Sequence, residues 1–143
     1  QYINLWSVDN DKMYESETPI KNGVKTIYDP SPVGFKVPDA YAFKDLSKGG
    51  AVWENGYTLK VDNDKDIYFQ AGGYRDGRDG ILKGVGVGGY AMYWASAALI
   101  HGTGGPGFAF RALMTSGKFS MPITDPEGFG TRSYGLAVRP VAE

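Results

Sequence analysis

Short apolar segments separated by turns dominate this chain, and helical periodicity is rare. Side chains that alternate between apolar and polar, or that are aromatic, are typical of strands. Glycine accounts for 21 of the 143 residues, which indicates many turns. The predicted strands are 2–6, 56–61, 67–69, 90–94, 108–114 and 134–141, the last with Leu136 and Val138 on one face.

One segment, Pro38 to Lys48, has the period of a helix. Asp39 lies near its start, and Gly49 and Gly50 follow it as a stop signal. Its apolar stripe consists of Tyr41, Ala42, Phe43 and Leu46. One helical region among many short strands predicts an α+β domain.

Composition limits the class of protein. The length fits one domain, residues 1–143, with 42% apolar and 14% aromatic residues to build a core. A net charge of −1 gives no basic footprint for nucleic acid or for a membrane surface, and no apolar run is long enough to cross a bilayer. The absence of cysteine excludes disulfides and thiolate chemistry. The start at Gln1 favours a processed product or a piece of a longer chain.

Catalytic and metal-binding motifs are incomplete. Asp62 to Asp66 has the spacing that begins a calcium loop but lacks the later glycine and glutamate, which favours a solvated turn. His101, the single histidine, has no nucleophile elbow to serve, although Ser96 and Ser116 are present. The glycines of 84–89 lack the lysine of a phosphate loop and predict turns and close packing. We therefore expect no enzyme activity and no cofactor.

Tryptophan and arginine positions allow two interpretations each. Trp6, Trp53 and Trp94 lie in apolar strand patterns that favour core packing, and sugar stacking is the alternative. Arg139 is expected to form an internal ion pair or to donate to a backbone carbonyl rather than to contact a ligand.

The stretch from Tyr90 to Glu143 alternates framework-like pieces with unusual loop contents. Its loops contain Leu99, Ile100, His101 and Phe108, where ordinary turns have Asn, Ser or Asp. A stiff scaffold with such loops favours a protein that binds rather than one that catalyses.

Three ordered motifs resemble a known family. Residues 25–38, KTIYDPSPVGFKVP, are similar to the YDPCPVGWRVP signature of many Bacteroidetes surface proteins. Residues 71–90 resemble its AAGYR, GSL and VGSYGYYWSS elements, and residues 132–141 resemble its RSNGFSVRPV close. Over residues 24–143 the chain thus resembles the Fibrobacter succinogenes major paralogous domain family. That resemblance implies a C-type lectin-like fold with short twisted antiparallel sheets, one or two helices and long loops. Ser31 replaces the usual cysteine, so any family disulfide is absent.

The resemblance also implies a variable binding region, since some relatives of this group are variable proteins of diversity-generating retroelements. Residues 1–23 would be a strand and lead-in, and residues 90–143 the candidate variable region. Ala112, Met114 and Phe119 would be framework. The implied ligand-binding positions are Ala98, Leu99, Ile100, His101, Phe108, Phe110, Arg111, Leu113, Thr115, Lys118 and Tyr134.

These features predict a non-enzymatic adhesion or ligand-binding module on a bacterial surface or phage tail, with a protein or glycan ligand on another cell or surface. The proposed apolar contacts suit protein targets. The alternative is a carbohydrate-binding module, with calcium at Asp62 to Asp66. An enzyme of the formylglycine-generating type shares the implied fold but needs cysteine chemistry that this chain lacks.

Overall fold

A computed structural model describes residues 6–7, 23–44, 46–48, 55–62, 65–99, 108–116, 119–121 and 129–143, with only the backbone at positions 47, 48, 62, 99 and 129. About half of this part is strand. The strands are β1 (Phe35–Lys36), β2 (Ser47–Lys48), β3 (Gly56–Asp62), β4 (Lys65–Gln70), β5 (Gly72–Arg75), β6 (Leu82–Val85), β7 (Ala91–Leu99), β8 (Phe108–Met114), β9 (Phe119–Ser120), β10 (Phe129–Thr131) and β11 (Val141–Ala142).

These strands form three sheets. The largest has the order β10-β8-β7-β5-β6, and β9 also pairs with β8. A second sheet has the order β2-β3-β4, and a third consists of β1 and β11. The pairings are antiparallel except for that of β5 with β7, which is parallel. The predicted strands 56–61, 67–69, 90–94 and 108–114 are confirmed as β3, β4, β7 and β8.

The core lies on one face of the β7–β8 pair, because alternate side chains of a strand point to opposite sides. This core face contains Ala91, Tyr93, Ala95 and Ala97 of β7 with Phe110, Ala112 and Met114 of β8. Phe69 of β4 packs edge-on against Tyr93, with ring centroids 5.1 Å apart. The three-stranded sheet therefore covers the core face of the large sheet.

The predicted α+β fold class is wrong, because the helix expected over 38–48 does not form. The helical part of the described chain is one 3-10 turn, Ala40–Phe43, capped by the Asp39 carboxylate, which accepts from the Ala42 N–H at 3.0 Å. Ser47 and Lys48 instead pair with Lys60 and Leu59 of β3. Within the described residues no helix is long and apolar enough to cross a membrane.

The continuous strand predicted over 134–141 is also wrong, because this part of the chain divides its backbone hydrogen bonds between two strands. Gly135 forms a bridge with Arg75 of β5, and Ala137 forms one with Tyr93 of β7. Residues 132–138, here called the closing segment, thus reach both β5 and β7. Pairing resumes at β11, which joins β1.

A lysine organises the loop before β1. The Lys25 ammonium donates to the carbonyls of Ser31, Pro32 and Phe35 at 2.7, 2.8 and 2.5 Å. The buried Asp29 carboxylate accepts from the N–H groups of Ser31 and Val37 at 2.7 and 2.8 Å. One cation and one anion therefore satisfy five polar backbone groups of this segment.

Replacing Lys25 by methionine is expected to lower the free energy of unfolding by about 2 kcal/mol, since three carbonyls lose a charged donor. Urea denaturation followed by circular dichroism measures this change. The control is Lys60→Met, whose side chain is exposed. Equal stability of the two variants would contradict a structural role for the Lys25 ammonium.

Glycines at the β6–β7 turn confirm the turn and close-packing prediction for 84–89. Gly84 has a φ of +66°, and a Cβ there would overlap the Tyr90 ring. Gly88 has a φ of +74° and open space around the same position. Both glycines have left-handed backbone, which other residues rarely adopt. Gly84 also leaves space for the Tyr90 ring, whereas Gly88 has no neighbour at the corresponding position.

Alanine at Gly84 is therefore expected to destabilise the fold more than alanine at Gly88. Backbone strain of about 1 kcal/mol applies to both variants, and the clash with Tyr90 adds to it in Gly84→Ala. Thermal melts of the two variants side by side measure the difference. A Gly88→Ala variant as unstable as Gly84→Ala would show that the ring contact contributes nothing.

Candidate functional site

A cavity of about 450 Å³ lies between the large sheet and the closing segment. Its wall on the sheet side is the outer face of the β7–β8 pair, opposite the core face. The described lining residues are Trp6, Pro30, Trp94, Ser96, Ala98, Ala109, Arg132, Tyr134, Gly135, Leu136 and Val138. The volume is in the range of small-molecule and side-chain pockets.

Small residues in register create the space on the sheet side. Ala98 of β7 lies opposite Ala109 of β8, and Trp94 lies opposite Arg111. Three residues of β7 lie between these two pairs against one of β8, so the register shifts here. Such irregularities bend a strand. The bend and the two alanines together leave room that larger side chains would fill.

Aromatic rings surround this room. The Trp6 and Trp94 ring centroids are 6.3 Å apart, with planes inclined by 55°. Tyr134 packs against Tyr74 at 5.3 Å between centroids, and Tyr74 packs in turn against Tyr90 at 5.8 Å. Leu136 and Val138 line the same cavity, as expected from their predicted common face. The walls are therefore predominantly apolar and are held by ring contacts.

Among the described lining residues, one carries a charge. This residue is Arg132, and no acidic side chain lines the cavity among the described residues. Asp29, next to Pro30 in sequence, is buried and already accepts two backbone hydrogen bonds. A ligand in this cavity would meet a cation and no described carboxylate.

Arg111 lies on the outer face beside the cavity wall. It follows the lining residue Ala109 by two positions on β8, and the field of the lining residue Tyr134 acts on it. Its Nε and Nη1 atoms are buried and have no hydrogen-bond partner. Burial lowers the pKa of the Arg111 guanidinium from its usual value, an effect that the nearby Tyr134 opposes. Buried polar atoms without partners are rare and mark a site that calls for explanation.

The structure divides the predicted binding positions into three groups. Ala98, Phe110 and Leu113 are buried, and Phe110 belongs to the core face. Phe108, Arg111, Thr115 and Tyr134 are half-buried. The other four lie outside the described side chains: Leu99, Ile100, His101 and Lys118. Of the eleven predicted positions, Ala98 and Tyr134 line the cavity and Arg111 flanks it.

Several cavity residues were missed by sequence reasoning. Trp94 was assigned to the core, and its side chain is buried at 5% exposure, but it faces the cavity rather than the main core. The period of two along β7 could have placed Trp94, Ser96 and Ala98 on one face. No local sequence pattern could have predicted that Trp6, Pro30 and Arg132 line the same cavity as these β7 residues.

Other predictions have definite outcomes in the structure. Arg139 donates from Nη1 to the Tyr68 carbonyl at 2.9 Å, which confirms the prediction of a carbonyl donor. Among the described residues no group of three His, Cys, Asp or Glu side chains could hold a metal ion. The central residues of the Asp62 to Asp66 loop, together with Trp53 and His101, lie outside the described part.

Comparison with known proteins gives no relative: no protein family, curated protein or solved structure matches this chain.

Replacing Arg111 by methionine is expected to raise the free energy of unfolding by about 1 kcal/mol, because it removes buried donors that have no described partner. Chemical denaturation of the protein without ligand measures this. Arg111→Lys, which keeps the charge, is the control and is not expected to stabilise. A large loss of stability in Arg111→Met would show that the guanidinium serves the fold.

Proposed function

We propose that this chain is a non-enzymatic ligand-binding module displayed on a bacterial surface or phage tail, and that its ligand enters the cavity between the β7–β8 outer face and the closing segment. The observation that carries this proposal is the cavity itself. It combines apolar volume, two tryptophans and a tyrosine with a small number of polar groups, which is the usual composition of a binding pocket.

The predicted binding region supports the proposal. The lining residues Ala98, Ala109 and Tyr134 belong to the candidate variable region, residues 90–143. Ala98 and Tyr134 are predicted ligand-binding positions, and a third such position, Arg111, flanks the cavity. The pocket is built on two paired strands, which hold its walls more rigidly than free loops would. Retroelement diversification of this region is part of the proposal. The variable positions that face the cavity are those where a changed side chain would alter the pocket.

Carbohydrate binding remains the second candidate, favoured by the half-buried Trp6 ring beside Trp94. Aromatic faces stack on the apolar faces of sugar rings. A glycan array with and without chelator distinguishes a calcium-assisted lectin from a pocket for apolar groups. Glycan binding that disappears with chelator would favour the second candidate.

Filling the cavity is expected to abolish binding. In wild type, neutral aromatic fragments such as phenylacetamide should shift the indole N–H signals of Trp6 and Trp94 in NMR spectra. The variant Ala98→Leu should lose these shifts, because Ala98 is 2% exposed and faces the pocket. The matched control is Ala137→Leu, an exposed alanine of the closing segment.

Two results would contradict the proposed site. Either the fragments leave both indole signals unchanged in wild type, or Ala98→Leu binds them as wild type does. Circular dichroism of both variants separates loss of binding from loss of folding.

A further inference from the structure

We infer that the ligand group entering this cavity carries a carboxylate on an apolar or aromatic body, and that the Arg111 guanidinium receives the carboxylate. This inference rests on the proposed function, because it names the ligand chemistry of the same pocket. The inference is based on one juxtaposition: an apolar, aromatic cavity lies beside a guanidinium whose buried Nε and Nη1 atoms have no described partner.

Arg111 is not itself a lining residue, but it lies beside residues that line the pocket. The side chain leaves β8 on the same face as Ala109 and lies opposite Trp94, and both of these residues line the cavity. Gly130 of β10 flanks the guanidinium on another side, where a Cβ would come within 2.5 Å of Nε. Glycine at this position therefore leaves the guanidinium its space. Tyr134, which acts electrostatically on Arg111, lines the cavity as well.

The chemistry of the unsatisfied atoms selects the ligand group. The N–H groups of a guanidinium donate charge-assisted hydrogen bonds to carboxylate oxygens. Nε and Nη1 of Arg111 are both buried without a partner, and because their N–H groups point to different sides of the guanidinium, each can donate to one oxygen of an anion. Arg132 lines the cavity as a second cation, and none of the described lining residues is acidic. An anion would therefore be favoured over its neutral counterpart.

The walls select the body that bears the carboxylate. Trp6, Trp94, Leu136 and Val138 offer apolar surface, whereas the lining has few neutral polar groups to pair with the hydroxyls of a sugar. A peptide that ends in an aromatic residue or a small aromatic acid combines both features. A ligand of this kind would place its ring against the tryptophans and its carboxylate towards Arg111.

Isothermal titration calorimetry with paired probes tests the inference. The pairs are phenylacetate with phenylacetamide, for a small acid, and N-acetyl-phenylalanine with its amide, for a peptide terminus. Wild type should bind the acid of at least one pair about tenfold or more tightly than the amide, as expected for a charge-assisted hydrogen bond in a poorly solvated site. The pair with the larger discrimination identifies the source of the carboxylate.

The variant Arg111→Gln should reduce the affinity for the acid to that for the amide. The matched control is Arg78→Gln, at an exposed arginine that does not line the cavity, which should retain the discrimination. Higher salt should weaken acid binding in wild type and leave amide binding unaffected.

The possible failures are distinguishable. If acids and amides bind wild type equally, or Arg111→Gln keeps the preference for the acid, the inference is overturned and the pocket remains a binding site. If neither member of either pair binds at millimolar concentration, the proposed site fails and the inference fails with it. The first comparison uses wild type alone, so it stands even if the variant does not fold.

Discussion

The alternation of side chains along β7 and β8 is the constraint on which the rest of the structure depends. Both strands send one set of side chains into the core and the other towards the cavity. A slip of one residue in their pairing would exchange the two sets and place Trp94 among the core residues and Tyr93 in the cavity. The irregular pairing between Trp94 and Ala98 bends the strand without exchanging its faces. Core and pocket are therefore two sides of one pair of strands.

Much of the strand content was predictable because it depends on short-range alternation. The strand predicted over 108–114 matches β8 to the residue. The helix predicted over 38–48 failed because its last residues pair with β3, a long-range contact that the local pattern does not report. The single closing strand failed for a similar reason, since Gly135 and Ala137 bond to different partners. Local sequence indicates which segments are extended but not which edges they join.

The candidate site was predictable where it depends on strand position and not where it depends on assembly. Ala98, Arg111 and Tyr134 come from the predicted binding region, and the structure places them in or beside one cavity. Trp6 and Pro30 reach the same cavity from the other end of the chain, which no spacing rule foresees. Phe110 shows the opposite limit, since it was predicted as a contact position but alternates into the core.

Stability and binding impose different demands on these two faces. A changed side chain at Phe110 alters the packed core, where lost volume is costly. A changed side chain at Tyr134 or Arg111 alters the pocket and leaves the core face intact. Arg111 is an extreme case, because a buried guanidinium without described partners lowers stability in the absence of ligand. A group that burdens the fold in this way is explained more simply by an anion that satisfies it than by any role in holding β8 in place.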